Sequence, residues 1–278
     1  MSDAGSASRE GQASYLLGHS KQELDRLRVQ ARLINPITRQ FFTEAGIAPG
    51  MRVLDVGSGA GDVAFLAAEL VGPTGWIIGV DRSATALAVA RARANEQSLR
   101  NVTFLDGDPT EMTFEQAFDA VVGRYVLMYQ ADPARMLSKL KTLLRPGGIV
   151  VFHEIDAHGE RCEPPVPLHE SILGWVTKVQ SRGGADARMG IKLHSRFLAA
   201  GLAAPTMRLH SVIGGGANAS DQVHLITDPA MSLASEIERL GLATADELES
   251  LAERVVQEMT ESQCVIVGRA EIGAWSQV

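Results

Sequence analysis

Three glycines at alternate positions, Gly57, Gly59 and Gly61, stand directly after a short apolar segment that contains Asp55. Residues 63–70, which follow the glycines, are mostly apolar and are typical of a helix. A strand that runs through a glycine turn into a helix brings backbone N–H groups and a helix N-terminus against a nucleotide-like ligand. Glycine is needed in such a turn because a Cβ atom would block the ligand and disfavour the backbone angles. The segment therefore predicts a ligand site.

The spacing of these glycines helps to separate the common kinds of nucleotide site. Dinucleotide-binding dehydrogenases carry G-x-G-x-x-G, and phosphate-binding loops carry G-x-x-x-x-G-K-[ST]. Here the pattern is G-x-G-x-G, with Asp55 two residues before the first glycine and no lysine in the turn. The pattern disfavours both of those classes, but a glycine turn alone is weak evidence for any other.

Two further acids follow at the ends of predicted strands. Asp81 closes the apolar segment 76–81 and lies 24 residues after the first glycine, close to the spacing at which a carboxylate accepts both ribose hydroxyls. Asp81 could also cap the helix predicted to start near Ser83, and the two roles are compatible. Asp108 follows the strand predicted at 102–105, where it could accept the exocyclic amine of a purine or be an ordinary turn residue.

An alternation of strands and helices positions these residues. Five apolar strands are predicted, at 53–56, 76–81, 102–105, 119–124 and 149–155, and helices are predicted between them. This alternation predicts a parallel sheet with helices on both faces. Ligands of such sheets bind beyond the carboxyl ends of the strands. The glycine turn, Asp81, Asp108, Arg124 and Glu154 all fall at that edge.

The segment before the first strand predicts two short helices. A capping box at Ser20 to Glu23 starts the first helix, Pro36 breaks it, and Gly46 ends the second. These helices would either pack on the sheet as a cap or cover a ligand. In the second case the polar groups expected to turn inward are Tyr15, His19 and Gln30.

The segment after the five strands is less regular. Two late strands are predicted at 207–213 and 263–268, and residues 272–275 either extend the second or form a strand of their own. A mainly helical insertion lies between the two strands, and Thr244 caps its last helix, with Glu247 three residues later. The expected organisation is a disordered tail (1–14), an N-terminal helical cap (15–50) and one α/β domain (51–278) whose lid is the insertion at about 214–260.

Composition and charge exclude several classes of protein. The 278 residues are 45% hydrophobic and carry a formal net charge of −7, so no basic footprint for nucleic acid or an anionic membrane is expected. No apolar run approaches the roughly 20 residues of a membrane span, and residues 1–14 lack a signal-peptide core. Cys162 and Cys264 lie far apart without a zinc-ligand pattern, which favours a reducing, cytoplasmic location and no metal.

Together these segments resemble the class I S-adenosylmethionine-dependent methyltransferases. The resemblance rests on five ordered blocks, Val53–Gly61, Gly79–Asp81, Gly107–Asp108, Phe118–Asp119 and Leu143–Gly148. It is strongest to the small-molecule branch that includes ubiquinone and menaquinone biosynthesis enzymes and bacterial natural-product methyltransferases. This branch implies a Rossmann-like, seven-stranded, mostly parallel sheet with helices on both faces. The last strand would be antiparallel, with a helical cap at the N-terminus and a helical lid before that strand.

The resemblance also implies which residues hold S-adenosyl-L-methionine and its product S-adenosyl-L-homocysteine. The glycines would wrap the methionine part, and Asp55 would hold the turn and the amino group. Asp81 would bind the ribose and Asp108 the adenine amine. The full expected set is Asp55, Gly57, Gly59, Gly61, Asp81, Arg82, Gly107, Asp108, Pro109 and Arg124. Arg124 could instead simply neutralise Asp55.

Methyl transfer requires alignment more than a conspicuous catalytic constellation, because the cofactor supplies the electrophile. A general base contributes only where the acceptor must lose a proton. His153, at the end of the fifth strand, is the first choice for that base and His169 the second, although either could be an ordinary hydrogen-bonded imidazole. Arg124 is the third catalytic candidate. Contacts to a small-molecule acceptor are expected from Tyr15, Tyr125, Tyr129, Glu154 and Trp175.

Two departures from related families narrow the acceptor class. Residues 123–126 read Gly-Arg-Tyr-Val, where nucleobase and glutamine methyltransferases carry [N/D]-P-P-[Y/F/W], so those acceptors are disfavoured. The same Gly-Arg pair replaces a carboxylate of the metal-dependent catechol enzymes, so no magnesium site is expected. Oxygen is favoured as accepting atom over carbon and nitrogen. A nicotinamide-dependent oxidoreductase and a fold retained without methyl transfer remain the alternatives, and the sequence is compatible with a homodimer.

Overall fold

A central sheet carries every predicted strand-end residue that the structure describes. The computed structural model describes residues 21–215 and 220–278, so the predictions for the tail 1–14, Tyr15, His19 and the Gln30 side chain lie outside it. The strands are β1 Arg52–Val56, β2 Trp76–Asp81, β3 Val102–Asp106, β4 Phe118–Arg124, β5 Leu144–Asp156, β6 Arg161–Glu163, β7 Thr206–His210, β8 Ile213–Gly215, β9 Val265–Val267 and β10 Ala270–Gln277. Seven of them form the main sheet, in the order β3-β2-β1-β4-β5-β10-β7.

The main sheet has the Rossmann-like arrangement that the resemblance implies. Strands β1 to β5 are parallel, and β10 is antiparallel to both β5 and β7. The five parallel strands therefore end at one edge, where the antiparallel β10 begins. The seven-stranded, mostly parallel fold is confirmed.

Helices cover both faces of the sheet. They are α1 Lys21–Ala45, α2 Asp62–Val71, α3 Ala84–Glu96, α4 Pro133–Lys141, α5 Pro167–Arg182, α6 Met189–Ala199, α7 Ser220–Ser232, α8 Ala234–Arg239, α9 Ala245–Leu248 and α10 Leu251–Glu261. Successive side chains of a strand point to opposite faces. Val53 accordingly packs in a core with Phe41 of α1 and Phe65 of α2, whereas Leu54 packs in another with Leu137 of α4.

The N-terminal helix departs from the prediction of two short helices. Helix α1 runs unbroken through Pro36, whose ring is exposed. Proline in a helix interior costs about 3 kcal/mol, because it removes one hydrogen bond and crowds the preceding turn. Burial of Ile34, Phe41 and Phe42 on the opposite side outweighs that cost. Tertiary packing therefore overrides the local helix-breaking signal.

The late strands also differ from the prediction. The sixth strand is confirmed at Thr206–His210, but residues 263–268 do not supply the seventh strand of the main sheet. Instead, β9 pairs with β6 and β8 in a separate three-stranded sheet, and β10 is the antiparallel seventh strand. Residues 263–268 and the residues of β10 are both largely apolar, so the sequence pattern could not distinguish which of the two segments joins the main sheet.

A helical subdomain, formed by α5, α7, α8, α9, α10 and the small sheet, shares a third apolar core. The predicted capping box of Thr244 and Glu247 is present, but it starts only the short helix α9. A second helix, α10, begins after Ser250, so the predicted single helix is two. Helix α7 also packs against α1, which joins this subdomain to the N-terminal helix. Among the described residues, the helices are all too short or too polar to cross a membrane.

Candidate active site

The glycine turn lies at the carboxyl end of β1, directly before α2. Gly57, Gly59 and Gly61 have φ angles of +65°, +50° and +92°, in the left-handed region that favours glycine. The Gly57 N–H donates to the Val80 carbonyl at 2.8 Å, which anchors the turn to the end of β2. A Cβ at Gly59 would meet nothing within 4 Å, whereas one at Gly57 would lie 2.8 Å from Val126. The middle of the turn therefore faces open space.

Asp55 is a buried carboxylate beside that turn. Its residue is 1% exposed, and neither carboxylate oxygen has a hydrogen-bond partner among the described residues. Burial raises the pKa of Asp55 well above its ordinary value, and the positive charge of Arg124 and the nearby backbone N–H of Ala64, which does not reach ordinary hydrogen-bond geometry, oppose this rise. A buried carboxylate without a partner is costly, so it favours a ligand that brings a cation or hydrogen-bond donors. The ammonium of S-adenosylmethionine meets that requirement.

Asp81 lies against the same turn. Its Oδ2 accepts from the Gly59 N–H and its Oδ1 from the Ser83 N–H, both at 2.8 Å. Ser83, and not Asp81, is the residue whose side chain caps α3. A carboxylate has about four acceptor positions, so two backbone bonds leave capacity for ligand hydroxyls. The predicted ribose contact is compatible with this geometry.

The pairing of β2 with β3 brings Asp108 to the same part of the edge. The Thr110 N–H donates to Asp108 Oδ1 at 2.9 Å, and the Arg82 guanidinium forms an ion pair with Oδ2. Partial burial by itself would raise the pKa of Asp108, but these partners outweigh burial and lower it. Gly107 precedes Asp108 with a φ of +146°, and Pro109 is buried after it. We call Asp55, Gly57–Gly61, Asp81, Arg82 and Gly107–Pro109 the β1–β3 edge.

A second group of polar residues occupies the ends of β4, β5 and β10. Glu271 is 1% exposed, and its Oε2 accepts from the Tyr125 hydroxyl at 2.7 Å and from His153 Nε2 at 2.8 Å. Its Oε1 accepts from Arg269 Nε at 2.9 Å. Burial alone would raise the pKa of Glu271, but Arg269 and the two hydrogen bonds lower it to about 2. We call Arg124, Tyr125, His153, Arg269 and Glu271 the β4–β10 edge.

His153 is fully buried within this group. It lies inside β5, which continues to Asp156, and not at the end of the strand as predicted. Burial lowers the pKa of His153, although Glu271 opposes the shift. With an ionised Glu271 the Nε2 carries the proton, and Nδ1 lies 3.0 Å from Thr38 Oγ1, whose single proton can go either to this nitrogen or to the Ile34 carbonyl at 3.1 Å. Both ring nitrogens therefore face a polar side chain, which favours a positioning role over that of a general base.

Arg124 connects the β4–β10 edge to the N-terminal helix. Its Nη1 donates to Asn35 Oδ1 at 2.8 Å and to Thr38 Oγ1 at 3.0 Å, and both partners lie on α1. Sequence reasoning did not identify Asn35 and Thr38, because it placed a helix break between them at Pro36. It also missed Arg269 and Glu271. Their spacing of two residues, typical of one strand face, was the available signal.

Glu154 has a different set of partners from the predicted acceptor contact. It is fully buried, and Oε1 accepts from the N–H groups of Val126 and Leu127 at 2.8 and 2.7 Å. Burial raises the pKa of Glu154 to about 8, although these backbone donors oppose the rise. Its carboxylate holds the 3₁₀ turn Leu127–Tyr129, at the end of which the predicted acceptor residue Tyr129 lies.

Helix α5 carries the remaining predicted residues. His169 lies in its first turn and is fully buried, and neither ring nitrogen has a hydrogen-bond partner within the described chain. Its Nε2 lies 3.8 Å from Glu160 Oε1. Trp175, on the same helix, packs half-buried against the core of the helical subdomain. The structure gives no hydrogen bond, in the part it describes, between these two residues and either edge.

Comparisons with known proteins agree with this architecture. A family described as "Methyltransferase domain" matches residues 47–180. The demethylmenaquinone methyltransferase of Lactococcus lactis subsp. lactis (strain IL1403) is 33% identical over 129 residues, which cover 46% of this chain and 49% of that protein. The aklanonic acid methyltransferase of Streptomyces sp. (strain C5) is 31% identical over 147 residues, which cover 52% of this chain and 66% of that one. The chain thus spans between about half and two thirds of these relatives' length.

A solved structure supports the fold over more of the chain. A putative methyltransferase from Bacillus halodurans C-125 superposes with a TM-score of 0.56 at 18% identity, covering 86% of this chain and 96% of that one. At that identity the likeness concerns the fold alone. The matched domain at residues 47–180 contains the glycine turn, Asp81 and Asp108, which are among the residues on which the resemblance rests. Residues 47–180 therefore belong to a methyltransferase domain family, in agreement with the resemblance to the class I S-adenosylmethionine-dependent methyltransferases.

Proposed function

We propose that this protein transfers a methyl group from S-adenosylmethionine to an oxygen atom of a small-molecule metabolite. The observation that carries the proposal is the buried Asp55 carboxylate, without a hydrogen-bond partner among the described residues, beside a glycine turn that faces open space. A ligand with an ammonium group relieves the cost of that burial. A pyrophosphate would instead bring negative charge towards Asp55.

The β1–β3 edge supplies the cofactor contacts in this proposal. Asp55 binds the ammonium group, and Arg124 is available to the carboxylate of the methionine part. Asp81 binds the ribose hydroxyls and Asp108 the adenine amine. When bound there, S-adenosylmethionine supplies an electrophilic methyl group.

The chain contributes alignment and exclusion of water around the acceptor. Tyr125 follows β4 with a φ of 56°, and its hydroxyl donates to Glu271. The bond network through Glu271, His153 and Thr38 holds Tyr125 and Arg124 in place. Alignment of two reactants contributes roughly 7–11 kcal/mol to such a reaction. We assign His153 to this positioning network, because Glu271 engages its Nε2 and the Thr38 hydroxyl faces its Nδ1, and we keep His169 as the candidate general base.

Binding and turnover measurements test the proposal. Calorimetry should give saturable binding of S-adenosylhomocysteine, which Asp55→Asn weakens and the exposed Asp106→Asn, on the neighbouring strand, leaves unchanged. Mass spectrometry of hydroxylated small molecules incubated with S-adenosylmethionine should detect O-methylated products. Preferential binding of NAD would overturn the proposal in favour of an oxidoreductase. Products methylated only at carbon or nitrogen would overturn the oxygen assignment. The cytoplasmic location and a homodimer stay predictions.

A further inference from the structure

His169 is a buried imidazole that lacks hydrogen bonds. A neutral imidazole has one N–H donor and one lone-pair acceptor, and buried polar groups nearly always find partners. Neither nitrogen of His169 finds one among the described residues, although the residue has no exposed surface. Apolar side chains surround its helix turn, with Val166 and Ile172 in the same subdomain core. The missing partner is therefore one that a water molecule or a ligand atom would supply.

Glu160 presents a carboxylate to the same ring. Its side chain is 6% exposed, and Oε1 lies 3.8 Å from His169 Nε2, too far for a direct hydrogen bond. No other hydrogen bond to Glu160 occurs in the described residues. An oxygen atom at an ordinary hydrogen-bond distance of about 2.8 Å from each of the two atoms would bridge them. The pair thus frames a position for one polar atom.

Glu160, one member of this pair, lies close to the β4–β10 edge. Glu160 follows soon after Asp156, the last residue of β5, and Asp156 pairs with Ala270 at the start of β10. Burial by itself would lower the pKa of Arg269, but the nearby carboxylates of Glu271 and Glu160 both raise it. Glu160 therefore lies near Arg269, at the β4–β10 edge.

The hydrogen-bonding groups of Glu160 and His169 favour some functional groups of a ligand over others. A hydroxyl can donate to Glu160 and accept from the Nε2–H of His169 at once. An ether or ketone only accepts, and a carboxylate would meet the negative charge of Glu160, whereas a protonated amine fits only the ring tautomer that leaves Nε2 of His169 without a proton. Burying a neutral hydroxyl also costs less than burying a charge.

We infer that Glu160 and His169 form the recognition site for a hydroxyl group on an otherwise apolar methyl acceptor, such as a phenol. This inference rests on the proposed function and deepens it by naming the acceptor class. It assigns Glu160, which sequence reasoning did not single out, as a specificity residue. It makes His169 a hydrogen-bond donor to the acceptor, so Glu160, in place of His169, is the group that faces the proton of the hydroxyl.

Binding of three small probes to the protein saturated with S-adenosylhomocysteine tests the inference. Phenol, anisole and toluene share a ring and differ in the hydroxyl, its methyl ether and its replacement by a methyl group. The Cε1–H signal of His169 in ¹³C-histidine-labelled protein is assigned by its loss in His169→Asn. We expect phenol to shift that signal and to bind about 10- to 100-fold more tightly than anisole or toluene, as for a hydrogen bond to a charged group.

Matched variants test whether Glu160 and His169 cause the preference for phenol over anisole and toluene. Glu160→Gln and His169→Asn should both abolish the preference for phenol. Glu163→Gln, an exposed carboxylate on β6, and His194→Asn, an exposed histidine on α6, should retain it. Equal binding of the three probes, no binding of phenol, or a preference that survives in both site variants would overturn the inference.

A separate readout keeps the two proposals distinguishable. Calorimetry with S-adenosylhomocysteine on the same variants should give unchanged affinity, which also shows that the buried substitution folds. Unchanged affinity together with no probe discrimination in the unsubstituted protein overturns the hydroxyl site alone. Absence of S-adenosylhomocysteine binding in the unsubstituted protein overturns the methyltransferase proposal instead.

Discussion

The β1–β3 edge and the β4–β10 edge meet at one crevice but are built differently. In the first, the hydrogen-bonded residues lie close along the chain: the Gly59 N–H and its acceptor Asp81 are separated by 22 positions, and Arg82 and Asp108 by 26. In the second, Thr38 and His153 are separated by 115 positions, and Tyr125 and Glu271 by 146. One edge is assembled from adjacent strand ends, and the other requires both ends of the chain to be in place.

The difference extends to what the carboxylates do. At the β1–β3 edge, Asp55 lacks a partner in the described residues, and Asp81 has acceptor capacity beyond its two backbone bonds. At the β4–β10 edge, Glu271 is surrounded by Arg269, Tyr125 and His153. The first edge is thus open to a ligand, whereas the second satisfies its own charges. Substitutions should accordingly affect ligand binding at the first edge and stability at the second.

The largest effect is expected from Glu271→Ala. The substitution leaves the buried guanidinium of Arg269 without its carboxylate, and breaking one partner from a buried pair costs about 3–5 kcal/mol. Urea unfolding should therefore show a lower midpoint at an unchanged slope. Glu271→Gln, which keeps a hydrogen-bond acceptor, should lose less.

Glu236→Ala is the control for that measurement. Glu236 pairs with Arg239 on the surface of α8, where solvent screens the charges, so its removal should leave the midpoint unchanged. Equal midpoints for Glu271→Ala and Glu236→Ala would refute the view that the β4–β10 edge is a stability element.

The same contrast explains how much of the site the sequence could predict. Gly57, Gly59, Gly61, Asp81 and Asp108 are recognisable because each stands at a fixed offset from one strand, and the parallel sheet then brings the strand ends together. The five parallel strands were predicted for the same reason, since each is a short apolar run. Local pattern and topology suffice for that half of the crevice.

The other half depends on contacts between distant segments. Arg269 and Glu271 are brought to His153 only by the antiparallel pairing of β10 with β5, and the apolar run at 263–268 was an equally good candidate for that pairing. Thr38 reaches His153 only because α1 continues through Pro36. Neither register nor tertiary override of a helix breaker can be read from one sequence, so these partners were not predicted.

Asp81→Ala should produce the next largest effect, on binding and not on folding. Hydrogen bonds between ribose hydroxyls and a charged group are worth about 1.5–3 kcal/mol, so affinity for S-adenosylhomocysteine should fall by about one to two orders of magnitude. Calorimetry measures this directly, with Asp106→Ala as the exposed control at the end of β3. Unchanged affinity would remove Asp81 from the ribose site and weaken the contrast between the two edges.

Glu154→Gln should act on the pH dependence of stability, and it decides whether Glu154 is a structural carboxylate or an acceptor contact. The pKa of Glu154 is raised to about 8 in the folded protein from an ordinary value of 4.5. Between these values the folded protein holds a proton that the unfolded chain has released, so the free energy of unfolding falls as pH rises. The stabilisation is complete below pH 4.5 and is lost progressively up to about pH 8, at no more than about 1.4 kcal/mol per pH unit.

Urea unfolding at several pH values measures that slope in the unsubstituted protein and in Glu154→Gln. The variant cannot ionise but keeps an oxygen for the N–H groups of Val126 and Leu127, so its stability should vary less over this range. If Glu154 serves the 3₁₀ turn and not the acceptor, the phenol preference of the variant should match that of the unsubstituted protein. If the slope flattens and the phenol preference is also lost, Glu154 belongs to the acceptor site. In that case β5 would carry a ligand-binding carboxylate, and the β4–β10 side of the sheet would no longer hold structural carboxylates alone.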